Sequence, residues 1–120
     1  MQDHTKLKVW QRSHRLSLAI RAFAETEEVR RIPDLRSQLI RAACSIPANI
    51  AEGCGSGSRK QLARYLQNSI ASASELDNHL MFAAEAVDKT RDLAHQLLAE
   101  VRAIRRMTIV LQQRVREQSD

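Results

Sequence analysis

The chain has 120 residues, enough for one domain with little room for a second. Hydrophobic residues make up 43% and charged residues 28%, the balance of a soluble globular protein. The net charge of +5 suggests a polyanionic partner. No run approaches the roughly 18 consecutive apolar residues that cross a bilayer. The opening MQDHTKLKVWQRSH also lacks the apolar stretch of a secretory signal. A cytoplasmic protein without a membrane partner is expected.

Sixteen Ala and 13 Leu stand against three Gly and two Pro, so few residues oppose a helix. Aromatic residues are only 3%, too few for the core of a β-sandwich. The fold class expected is all-α, and periodicity divides residues 1–120 into four helices of a single domain. The first covers about 5–25, with Thr5 as its N-cap, and ends in the polar linker TEEVRRIPD, where Asp34 is a capping candidate. The second covers about 34–52 and aligns Leu35, Leu39, Ala42, Ala43, Ile46 and Ile50 along one side. Gly53 suits the position just after a helix end, and Pro47, which removes one backbone hydrogen bond, is expected to kink this helix.

The loop GCGSGS leads to Ser58, which with Gln61 reads as a capping box opening the third helix, about 58–87. Its residues Leu62, Leu66, Ser69, Ala73, Leu76, Leu80, Ala83 and Val87 keep an unbroken alternation of fours and threes, the seam of a bundle helix. The fourth helix, about 89–117, has its seam at Leu93, Leu97, Val101, Ile104, Thr108, Leu111 and Val115. Short connections between long helices predict an antiparallel up-down four-helix bundle.

Charge is sorted by face. At about 100° per residue, Arg91, Arg102, Arg105, Arg106 and Arg116 fall within one arc of the fourth helix, with Leu98 and Ile109 among them. Lys8, Arg12 and Arg15 form a stripe on the first helix. A solvated face is one reading. Sorted like charges with apolar residues between them favour a partner-covered surface, with RNA or DNA as the candidate. The apolar residues of the first helix wrap further than one core face requires, and Leu7, Trp10 and Leu18 are the candidate oligomer interface.

Catalysis finds little support. The four histidines form no HExxH pattern, and Arg91 with His95 only faintly resembles the Arg/His pair of HEPN-type ribonucleases, at a shorter spacing. His14 is expected to be buried and hydrogen-bonded. Cys44 is expected in the core, and Cys54 as an inert loop thiol; their spacing matches no common zinc pattern. No catalytic, cofactor-binding or metal-binding residue is assigned. Trp10, Phe23, Tyr65 and Phe82 are expected to be buried and to contribute little to base stacking.

The string Ser45-Ile46-Pro47-Ala48-Asn49-Ile50-Ala51-Glu52-Gly53 resembles the signature of the four-helix-bundle proteins encoded in intervening sequences of bacterial 23S rRNA genes. Leu7-x-Val9-Trp10-Gln11 with His14, Ser37-Gln38-Leu39-x-Arg41-Ala42-Ala43 and Ser72-Ala73-Ser74-Glu75-Leu76 extend the likeness. Ser56, Gln61 and Ala71 depart from it, at positions where the family usually carries Arg, Glu and Gly. The resemblance implies a bundle assembling as a ring-like homopentamer. It also implies relatives among the accessory variability determinants of diversity-generating retroelements, which bind a reverse transcriptase and nucleic acid. Within the signature, Pro47 and Gly53 read as structural, while Asn49 and Glu52 serve either assembly or a ligand. The function expected is a non-enzymatic, homo-oligomeric accessory protein that binds nucleic acid through Arg and Lys. The alternative is a scaffold for an acidic or polymerase-type protein.

Overall fold

The computed structural model describes residues 2–118; residues 1, 119 and 120, the outer limits of the expected domain, lie outside them. Among the described residues every regular element is helical. A 3-10 turn at His4–Lys6 precedes α1 (Lys8–Ala24), and α2 (Glu27–Arg30) is a single turn. The long helices α3 (Leu35–Gly55), α4 (Arg59–Ala86) and α5 (Arg91–Glu117) follow, with a second 3-10 turn at Asp88–Thr90 before α5. Helix α1 packs on α3 and α5, and α4 packs on the same two.

The seams build the core. Every residue of the α3 seam is buried. Along α4 the burial runs from Leu66 through Ser69, Ala73, Leu76, Leu80 and Ala83 to Val87, with Leu62 half-buried. On α5, Leu97, Val101, Ile104, Thr108 and Val115 are buried, whereas Leu93 is 41% exposed. Each fully buried Leu or Ile contributes roughly 1.5–3 kcal/mol of transfer free energy, so the seams dominate stability. Small polar residues on them bond internally. Ser69 Oγ donates to Ile46 O at 3.0 Å, and Thr108 Oγ1 to Ile104 O at 2.7 Å.

Several local expectations are corrected. Asp3, not Thr5, caps the first turn, its carboxylate accepting from the Thr5 amide at 3.0 Å. Asp34 precedes α3 in a left-handed conformation (φ 67°) and makes no side-chain cap bond. Gly53 does not end its helix. α3 runs on to Gly55, and Gly53 sits buried where a Cβ would lie 2.8 Å from Leu62 Cδ1 and 2.9 Å from Tyr65 Cβ. Its role is close approach of α3 to α4. Ser58 does cap α4, accepting from the Gln61 amide at 3.1 Å.

Burial also departs from expectation. Cys44 is exposed, while Cys54 is buried inside the last turn of α3. His14 is exposed and stacks on Trp10, ring centroids 4.8 Å apart. Phe82 is 52% exposed, and Leu98 is buried rather than lying among surface arginines. The linker expected after the first helix holds α2 instead, because Val29 is fully buried and pins it to the core.

Candidate nucleic-acid interface

The predicted cations fall into two groups. In the first, the guanidinium is paired with a group of the chain while keeping part of its surface in solvent. Arg102 meets Asp77 twice, Nε to Oδ2 at 2.9 Å and a terminal nitrogen to Oδ1 at 3.2 Å, and Arg105 donates to the same Oδ2 at 3.2 Å. Asp77 has a side chain only 11% exposed, so α4 supplies a nearly buried carboxylate that holds two α5 arginines. The Arg102 hydrogen bond is the main reason that the Asp77 carboxyl is held below its usual pKa, with the charges of Arg102 and Arg105 adding to it. Arg12 forks onto Glu100 at 3.0 and 2.6 Å and touches Met107 Sδ at 3.3 Å, which joins α1 to α5. Arg91 donates from Nε to Ala84 O at 2.9 Å and pairs with Asp88, closing the turn between α4 and α5.

The second group points outward. Lys8, Arg15, Arg106 and Arg116 are exposed, and no carboxylate of the described residues pairs with them. Lys8 and Arg106 line a groove between α1 and α5 together with Arg114. Arg116 shares a second groove with Arg59, Lys60 and Arg64 from the start of α4. Sequence reasoning missed Arg64 and Arg114. The signal was present but cancelled: α4 begins with Arg59, Lys60 and Arg64 and carries Glu75, Asp77 and Glu85 further along. A charge sum over the whole helix hides that gradient.

Packing brings the like ends together. Gln2 donates its amide to Cys54 O at 3.5 Å, and Gln112 donates to Ala63 O and Gln67 Oε1 at 3.0 Å each. The start of α1, the end of α3, the start of α4 and the end of α5 are thereby neighbours. Residues 2–15, 45–72 and 105–118 hold eleven Lys or Arg against three Asp or Glu, a net of +8. Residues 16–44 and 73–104 hold eight against ten, a net of −2. One half of the molecule is strongly cationic and the other nearly neutral.

Polar groups of the signature bond close by. Asn49 Nδ2 donates to Ser45 O at 2.8 Å and Ser45 Oγ at 3.0 Å, and Ser72 Oγ of α4 donates to Ser45 Oγ at 2.8 Å. Pro47 is buried, and Glu52 is exposed. Of the expected interface residues, Leu7 and Trp10 pack partly on the core, while Leu18 is 58% exposed. Burial pushes the Cys54 thiol up in pKa, away from the reactive thiolate. Among the described residues no group of three or more His, Cys, Asp or Glu could hold a metal ion, and no helix is long and apolar enough to cross a membrane.

Four long packed helices with one cation-rich end define a small all-helical bundle protein of basic character. The chain belongs to the 23S rRNA-intervening sequence protein family, whose pattern matches residues 5–110. A search of curated proteins found no match.

Proposed function

We propose that this protein is a non-enzymatic, homo-oligomeric accessory protein of the cytoplasm that binds the phosphate backbone of RNA or DNA through its cationic end. The observation that carries the reading is the net +8 gathered on one half of the chain. Phosphate contacts draw heavily on Arg and Lys side chains that reach the solvent. Arg64, Arg116, Arg106, Arg114, Lys8 and Arg15 are such side chains, whereas Arg12, Arg91, Arg102 and Arg105 hold helices together. Exposed Leu18 supports self-association, and the family resemblance supports a pentamer, in which the cationic end repeats and weak contacts add.

An up-down course supports the same arrangement. Residues 56–58 span at most about 10 Å, while α4 is about 42 Å long, so α4 turns back along α3. A kink at Pro47 would aim the end of α3 toward α4, where Gly53 meets Leu62 and Tyr65.

The test is a salt titration of RNA and DNA binding, wild type against Arg64→Glu with Arg116→Glu. The expected wild-type affinity tolerates sequence and falls steeply with salt as counterions are released. The double variant is expected to lose most binding while keeping helicity and oligomeric mass. Equal binding by both proteins, or none by either near ~50 mM salt, overturns the reading.

A further inference from the structure

The groove between α1 and α5 differs from the rest of the cationic end. Its floor is apolar, formed by Val9, Met107, Val110 and Leu111, and its rim carries Lys8, Arg106 and Arg114. No carboxylate lines it. Val110 is 44% exposed, a large apolar side chain held at the surface with no described neighbour covering it. The α5 stretch that lines the groove, residues 103–114, carries no acid. Glu100 before it is paired with Arg12, whose guanidinium also meets the Met107 sulfur at 3.3 Å, and Glu117 follows beyond the lining.

The spacing has a shape. Residues 103, 107, 110, 111 and 114 follow one helical stripe about 16 Å long, room for three turns of a partner helix. Arg106 and Arg114 lie eight residues apart, about 12 Å along α5, a distance that carboxylates two turns apart on a facing helix would match. Nucleic acid suits this floor poorly. Its backbone is charged, and its bases stack on aromatic rings, which none of the lining residues supplies. A second copy facing groove to groove would set these cations against their own likeness, and a copy docking by another face is told apart by the oligomeric mass of a groove variant.

We propose that the α1/α5 groove docks an acidic amphipathic helix of a partner protein. Its apolar stripe rests on Met107, Val110 and Leu111, and its flanking carboxylates meet Lys8, Arg106 and Arg114. The groove shares Lys8, Arg106 and Arg114 with the proposed phosphate-binding surface, whereas Arg64 and Arg116 lie outside it, so variants at those two positions separate the two proposals.

The test uses the full chain and a labelled synthetic helix of about 18 residues, with Leu at three- and four-residue spacing and Glu on both flanks. One control replaces Glu by Gln, the other Leu by Ser. Fluorescence anisotropy is expected to show the acidic probe binding at least about tenfold tighter than either control. Val110→Asp should weaken it by about tenfold or more with an unchanged far-ultraviolet spectrum, since Val110 is exposed. Arg64→Glu with Arg116→Glu should leave it within about twofold. Absent probe binding, equal binding of all three peptides, or indifference to Val110→Asp overturns the proposal. So does a Val110→Asp protein that loses RNA binding or its oligomeric mass as strongly as probe binding, which gives the groove to nucleic acid or to a second copy.

Discussion

Two glycines of one helix show how a missing side chain can matter at one position and not at another. A Cβ on Gly53 would approach Leu62 Cδ1 to 2.8 Å and Tyr65 Cβ to 2.9 Å, and the second contact belongs to the root of a side chain that cannot swing away. Gly55, two residues on, faces open space within 4 Å. Gly53→Ala is therefore expected to destabilise by about 1–3 kcal/mol through overpacking, despite the better helix propensity of Ala. Gly55→Ala should be neutral or stabilising by up to about 1 kcal/mol. Urea unfolding of the two variants separates these outcomes.

Asp77 makes a prediction in pH. Its carboxyl pKa is held below the usual 3.8, first by the Arg102 hydrogen bond. A depressed folded value means stability that is present in full above the usual value and is lost as pH falls through the folded one. Wild type should lose part of its stability on acidification below about pH 4, and Asp77→Asn should show a shallower acid limb. The measurement is the urea midpoint between about pH 6 and 2. At neutral pH the same substitution should cost about 1–2 kcal/mol, a modest figure because both arginines can turn to water.

At the scale of the helix, the four long elements were legible because fours and threes of apolar residues have no other economical use. Their ends were less legible. The sequence placed a stop at Gly53 by residue type, but a glycine inside a helix can instead admit a neighbouring helix, and residue type does not tell these apart. Leu93 shows the same ambiguity at the head of α5. It fits the seam by spacing, yet is 41% exposed, while Leu97 one turn on is buried. Leu97→Ala should cost about 2–5 kcal/mol and Leu93→Ala under about 1, measured by thermal or urea unfolding.

The charge that marks the candidate site is legible in composition, but the pairing of its cations is not. An excess of arginine pointed to a polyanion, with candidate cations on the first and last helices. The sorting of Arg102 and Arg105 away from the solvent-facing cations was hidden, because it depends on Asp77, which is 25 and 28 residues away in sequence. Arg64 was overlooked for the opposite reason: its helix is balanced along its whole length and becomes cationic only where packing sets its start beside the end of α5.

That lengthwise sorting has an orientational consequence. The molecule is 49 Å long and about 20 Å across, with a net +8 on one half and −2 on the other, so it behaves as an elongated electric dipole. In the field of a charged polymer such a body experiences torque before it touches anything, and it turns its cationic pole forward during approach. Collisions arriving broadside or tail-first are thereby converted into end-on encounters. If the proposed phosphate contacts form, the molecule would stand end-on, with its nearly neutral half facing the solvent.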